Sequence, residues 1–322
     1  MKTNLKKTFL ITAVIMLLSV IFCFSVSAKD IDASGECGEN VRWSYSGATK
    51  ELTISGTGPM KDYDAFDDIS LSPFADTDIK TVVIEEGVTS VGHSAFMGCP
   101  ELTSVTLPDS IKTVGSGAFK NCAKLEEIKL SDNITNIYSG AFERCIALEE
   151  IKLPDNLIQI GQFAFADCNI LAAINIPDGV TTIEHSAFAG CDELKNVKLG
   201  RGVTTLEYGA FAWCMSLKNI VIQSNITSIA ATAFYETAWL KNQPEGVVYV
   251  GSFAYIYNGE VPENGKVTIK DGTSFIVPGA FYGQSNLKTL DIPASVTFIG
   301  YAAFSDCDGL KYVYYRGTKA QW

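Results

Sequence analysis

The pair Ala-Phe recurs along this chain at Phe96, Phe119, Phe142, Phe165, Phe188, Phe211 and Phe234, with a spacing of 23 residues at every step. After an interval of 47 residues, two periods plus one, it returns at Phe281 and then, 23 later, at Phe304. Nine units in register demand a repeat architecture. A unit this short cannot bury its own apolar face, but stacked units share one continuous core, so a solenoid follows. The composition agrees: 47% of the 322 residues are apolar, which is ample for a core and excludes disorder throughout.

The unit is numbered so that the first begins at Ile79 and the second at Leu102. Positions 1, 4 and 6 are then apolar, as in Leu125, Ile128 and Leu130. Alternation with β-branched residues predicts a strand with one buried face. Position 9 is Gly or Asn in seven units (Gly87, Asn133, Asn156, Gly179, Gly202, Asn225, Gly272) and Ser in two (Ser110, Ser295), which predicts a turn with positive φ. Positions 10 and 13 are apolar again, position 17 is always Ala and position 18 always Phe. Strands of successive units would pair in parallel at about 4.8 Å, with the Phe stripe inside the coil.

The consensus L-x-x-I-x-L-P-x-x-V-T-x-I-G-x-x-A-F-x-x-C resembles the BspA-like leucine-rich repeat, and LKTLDIPASVTFIGYAAFSDC (Leu287 to Cys307) carries it at nearly every place. The resemblance covers about residues 79–315, and ENVRWSYSGATKELTISGTGPM is similar to the lead-in that precedes such repeats. It implies an α/β right-handed leucine-rich-repeat solenoid with a parallel β-sheet, short helical or irregular segments on the other face and an N-terminal β-hairpin cap. It also implies a secreted or surface protein, of bacteria and some protists, of an adhesion or host-protein-binding type.

Lys2, Lys6 and Lys7 precede an apolar or small run from Phe9 to Val26, and Val26-Ser27-Ala28 supplies the small residues of a cleavage site. Residues 1–28 therefore read as a secretory signal cleaved after Ala28, with an uncleaved anchor as the competing reading. Phe22 before Cys23 argues against N-terminal lipidation, and no later stretch approaches membrane length. Residues 29–322 carry 22 basic and 36 acidic side chains, a balance of −14 that repels a phosphate backbone and excludes nucleic acid as a partner.

Residues 29–78 form the expected cap, in which Val41, Trp43 and Tyr45 alternate, a Ser46-Gly47 turn follows, and Leu52 and Ile54 alternate back. Within it, Asp62, Asp64, Asp67, Asp68, Asp76 and Asp78 lack the Gly and terminal Glu of an EF-hand and read as a solvated acidic loop. Seven repeats are expected over 79–239, an inserted hairpin over 240–263, and two further repeats with the start of a tenth over 264–322. The insertion's VVYVGSFAYIYNG carries Tyr249, Phe253, Tyr255 and Tyr257. These are either an aromatic contact patch for a glycan or protein, or packing over the adjoining repeats. The tenth unit starts at Leu310, Val313 and Tyr315 with no polar cap, which suggests a fragment.

Cys99, Cys122, Cys145, Cys168, Cys191, Cys214 and Cys307 share position 21, and Thr237 and Gln284 replace them in two units. Stacked equivalents about 5 Å apart fall within disulfide range, but equivalent side chains point the same way, so a ladder of buried reduced thiols is expected. There is no C-x-x-C pair, which removes zinc-ribbon and thioredoxin-type readings. His93 and His185, the only histidines, lie four repeats apart at about 4.8 Å each and cannot share a metal or a proton. Neither has the partners of a triad. Gly56-Thr57-Gly58 is a turn rather than a phosphate loop, and the sequons at Asn133 and Asn225 are explained by turn geometry. No catalysis, cofactor or metal is expected.

Positions 2, 3 and 5 form ladders on the outward strand face. They stack Glu126 on Glu149, Glu127 on Glu150 and Lys129 on Lys152, whereas repeats six and seven show Lys195, Lys198 and Lys218. Such a polarised face is a candidate docking surface for a protein, and a solvated face is the plainer alternative. The expectation is a monomeric, secreted or cell-surface scaffold that binds a protein or glycan outside the cell, with no membrane insertion after signal cleavage. The alternatives are a spacer, or a targeting module for a further C-terminal domain such as a hydrolase.

Overall fold

The computed structural model describes residues 31–322 apart from Asp67, Gln223 and Ser224, so the export segment lies outside the described residues. Residues of positions 3 to 5 form the expected parallel row. Thr81–Ile84, Ser104–Thr106 and Glu127–Lys129 pair with a 23-residue offset, Val82 beside Val105 and Val105 beside Ile128. The row resumes with Ala173–Asn175, Asn196–Lys198 and Asn219–Val221, and again with Lys266–Thr268, Thr289–Ile292 and Tyr312–Tyr315.

On the other face, where short helical or irregular segments are expected, the segments are irregular and carry an unexpected second row of strands. Positions 12 and 13 form a second parallel row, including Val88–Val91, Thr113–Val114, Asn136–Ile137 and Gln159–Ile160. The remainder is turns, and among the described residues the only helix is Ala238–Lys241. Strands of two residues are too short to show a period of two in the sequence.

The Phe stripe occupies the core. Phe96, Phe119, Phe142, Phe165, Phe188, Phe211, Phe234 and Phe281 are fully buried, and Phe304 packs against the core with partial exposure. From Phe96 to Phe234 consecutive rings stack with centroids 5.2–5.8 Å apart and planes within 4–13°. From Phe96 to Phe211 each backbone N–H of this stripe donates to the Ala carbonyl of the next unit, as Phe165 does to Ala187 at 2.8 Å.

Position 9 turns the chain as expected, yet its φ is positive only at Gly87 and Gly272. Its preference has another cause, contact with the preceding unit. A Cβ on Gly202 would fall 2.1 Å from the Asp178 carbonyl oxygen, while Asn133, Asn156 and Asn225 donate their amides to the corresponding carbonyls of Asp109, Asp132 and Arg201. The left-handed residues instead fill position 20 in all nine units, among them Asn121, Arg144, Trp213 and Glu236, and position 16 in eight. Each non-Gly residue there costs about 1–2 kcal/mol, and inter-unit hydrogen bonds such as Trp213 N to Tyr235 O (2.8 Å) over-determine the conformation.

At the first end, Ala33–Glu36, Val41–Ser46 and Glu51–Gly56 pair antiparallel, and the last of these runs parallel to Thr81–Ile84 with Leu52 beside Val82. The acidic segment after it exposes Asp62, Asp64, Asp68 and Asp76 to solvent, and it is also anchored to the coil. Phe74, Ser70 and Ser72 are buried, and the Phe74 ring begins the stack 5.4 Å from Phe96. Asp68 pairs with Lys120 (2.6 Å) and Arg144 (3.0 Å), Asp62 accepts from His93 N, and Asp78 accepts from the Tyr45 hydroxyl and pairs with Lys50. The segment is thus a strap held down by its carboxylates, and the Lys120 hydrogen bond keeps Asp68 below the usual carboxylate range.

The insertion is the expected hairpin, Gly246–Val250 against Phe253–Asn258, and Phe253 and Ala254 pair in parallel with Phe275 and Ile276. It therefore supplies second-row strands only. Among the described residues no main-chain hydrogen bond joins residues 217–237 to the hairpin strands.

Candidate functional site

The outward face of the first row is hollowed over repeats two to six, enclosing about 1400 Å³. Alternation places apolar positions 4 and 6 inward, so the side chains of positions 3 and 5 stand in this hollow. Glu126, Glu127, Glu149 and Glu150 all line it, together with Lys198. Lys195 and Lys218 do not; Lys195 pairs instead with Glu193 at 3.1 Å. Sequence reasoning passed over the carboxylates of position 8, Asp132, Asp155 and Asp178, which form the rim. The recurring Asp after the strand was their signal, hidden because it also suits a turn.

Seven carboxylates thus face three lysines, Lys129, Lys152 and Lys198. Among the described residues none of these ten groups makes an ion pair. The first row is also open at this place: Glu127–Lys129 ends one sheet, Ala173–Asn175 begins the next, and no strand forms over residues 150–152. Stacked like charges on neighbouring strands are destabilising by tenths of a kcal/mol, roughly 0.2–1. That repulsion falls on the rung where pairing lapses.

Of the two readings of the hairpin aromatics, packing over the adjoining repeats is the one the burial follows, and Phe253 and Tyr255 drop out as surface candidates. Phe253 and Tyr255 are buried, and Tyr249 and Tyr257 are only partly exposed. The Tyr255 hydroxyl donates to Ala231 O (2.8 Å) and accepts from Phe234 N (3.1 Å). Tyr249 accepts from Lys270 N at 2.8 Å, and the Tyr257 ring lies 5.8 Å from Phe281. These rings close the core where the repeat is interrupted and do not form a surface patch.

The chemically reactive groups are occupied elsewhere. Each position-21 thiol donates to a Phe carbonyl of the preceding turn, Cys99 to Phe74 (3.1 Å) and the others to the Phe 26 residues earlier, for example Cys122 to Phe96 (3.0 Å) and Cys307 to Phe281 (2.9 Å). Thr237 and Gln284 bracket the insertion: Thr237 donates to Phe234 O and caps the short helix, and Gln284 holds Gly259 O and Val261 N. Burial pushes the thiols of Cys145, Cys168 and Cys191 upward, and at Cys99 a hydrogen bond with Cys122 acts first in the same direction.

Cys37 is raised by burial from an ordinary 9.0 to about 12. A proton held more tightly in the fold stabilises it fully below pH 9.0, and this contribution is lost as pH rises toward 12. The urea midpoint is therefore expected to fall steeply above that lower value, and the native thiols are expected to ignore a thiol reagent that modifies them once the chain is unfolded. Rapid modification of the folded chain would contradict the buried ladder.

His93 and His185 remain apart, with rings near Tyr138 (6.2 Å) and Phe163 (5.0 Å) respectively. Among the described residues no group of three or more His, Cys, Asp or Glu is placed to hold a metal, and no helix is long and apolar enough to cross a membrane.

A parallel coil of 23-residue units with an inward Phe stack and an A-F-x-x-C turn defines a leucine-rich-repeat solenoid. The chain belongs to the BspA type leucine-rich repeat region family, whose profile matches residues 67–191, 171–259 and 257–320 in six copies. A leucine-rich repeat protein from Eubacterium ventriosum shares the fold with a TM-score of 0.52 at 19% identity, over 88% of this chain and 85% of that one. One from Bacteroides ovatus gives 0.47 at 23% identity, over 87% and 70%. A leucine-rich cell surface protein from Faecalibacterium prausnitzii gives 0.33 at 22%, over 92% and 98%. No curated protein matches the sequence.

Proposed function

We propose that the chain is a non-catalytic binding scaffold, secreted or displayed on the cell surface as a monomer, whose hollowed strand face docks a basic segment of a partner protein. The signal-like residues 1–28 and the repeat family support the location. The observation that carries the binding reading is the set of unpaired carboxylates fixed at adjacent rungs. An extended Lys- or Arg-rich segment satisfies them without the desolvation of a deep pocket, and electrostatic steering speeds its arrival.

The test uses residues 29–322 immobilised against nona-arginine, with nona-glutamate as control. Binding is expected to weaken with added salt, and Glu126→Lys, Glu127→Lys, Glu149→Lys and Glu150→Lys together should lower affinity by at least about tenfold. Unchanged binding by the reversed chain would overturn the docking surface. Absence of any binding to basic ligands would favour the spacer.

A further inference from the structure

We propose a second, independent site at the first end of the coil: a hollow of about 730 Å³ on the second-row side that takes a basic amino-sugar residue of a glycan. It does not share residues with the docking surface above. Its size falls within the range of about 300–1,000 Å³ typical of small-molecule sites.

The repeat supplies the floor. Position 14 is Gly in units one and two, Gly92 and Gly115, and Tyr in unit three, Tyr138. A Cβ on Gly115 would stand 2.8 Å from Cδ2 of His93, so the glycine lets that imidazole lie across unit two toward Tyr138, 6.2 Å away between centroids. Two rings with a notch between them offer flat apolar faces. Pro59 and Met60 form part of the wall, and the hydroxyl-bearing Ser90 and Thr113 also line the space.

The rim sets the charge of the ligand. Glu36, Glu39 and Asp62 stand there against a single lysine. That lysine, Lys61, is turned to the ring of Tyr63, with Nζ 5.7 Å from its centroid. Glu36 lies 3.6 Å from Arg42 in an exposed pair, Asp62 holds His93 N, and Glu39 has no ion-pair partner among the described residues. Aromatic faces and free carboxylates both attract a cation. A hexosamine combines an apolar ring face for Tyr138, hydroxyls for the hydrogen-bonding wall and an ammonium for Glu39. A uronic acid or phosphate would meet the acidic rim.

The experiment titrates the folded chain at neutral pH with an unacetylated β-1,4-glucosamine trimer, followed by saturation-transfer NMR and calorimetry. The N-acetylated trimer, a galacturonic acid trimer and tri-lysine serve as comparisons. The glucosamine trimer is expected to bind at least about tenfold more tightly than each of the other three. Tyr138→Ala and Glu39→Gln should each weaken it by about tenfold, and the exposed Glu39 variant separates loss of the site from loss of the fold. Reversal of Glu149 should leave it unchanged, which keeps this site distinct from the docking face. Equal binding of tri-lysine, unaltered binding by the Glu39→Gln chain, or no binding of the glucosamine trimer would overturn the proposal.

Discussion

Replacing Phe165 by alanine is expected to destabilise the chain by about 3–5 kcal/mol, the usual cost of emptying a phenylalanine site that cannot collapse. The ring is fully buried and stacks between Phe142 at 5.2 Å and Phe188 at 5.3 Å. Collapse is resisted because the flanking rungs are fixed by main-chain bonds, Phe142 N to Ala164 O and Phe165 N to Ala187 O, both 2.8 Å. In a stack with nearest-neighbour coupling the damage interrupts cooperativity at unit four instead of spreading evenly. Phe304→Ala should cost less, because that ring is only partly buried and stacks on Phe281 alone in this stripe. Urea titration of both variants, read by circular dichroism and by amide exchange, checks the ordering. Equal losses at the two positions would mean that the stack is not the shared core.

Periodicity made the stack and the first strand row legible, because a buried aromatic and alternating aliphatics leave a signature that survives in every unit. The second row was not legible, since a two-residue strand has no alternation to detect. Nor were the left-handed positions. At Arg144 and Trp213 the conformation is imposed by hydrogen bonds that their N–H groups donate to the next rung, so residue type carries no trace of φ. At position 9 the trace was present but its cause was misread, because glycine answers crowding as well as positive φ. The charged ladders of the outward strand face followed from the 23-residue register alone. The His93–Gly115–Tyr138 floor did not, because it joins position 15 of one unit to position 14 of the unit two rungs on. The partners of the hairpin aromatics were hidden for a related reason. Tyr255 has no counterpart in the repeat, and only the fold shows that its hydroxyl stands where a backbone carbonyl is missing.

That substitution makes Tyr255→Phe the sharpest probe of the interruption. In units one to six, the N–H at position 18 donates to a main-chain carbonyl of the following unit; at Phe234 the acceptor is the Tyr255 hydroxyl. Removing one oxygen orphans a buried donor and also the donation to Ala231 O, and an unsatisfied buried group costs about 1–3 kcal/mol. The ring itself should stay, edge-on to Phe234 at a centroid distance of 6.0 Å, so packing is little altered. Because no main-chain hydrogen bond among the described residues ties residues 217–237 to the hairpin strands, the lost energy falls on the seam. The units before Thr237 and those after Gly246 should then unfold separately: the single urea transition of the parent chain broadens or splits, and the Phe234 amide exchanges faster while Phe211 stays protected. A variant that keeps one sharp transition with an unshifted midpoint and a protected Phe234 amide would show that the seam is held by the apolar contacts of Trp239, whose ring lies 4.7 Å from Phe234, and not by the hydroxyl.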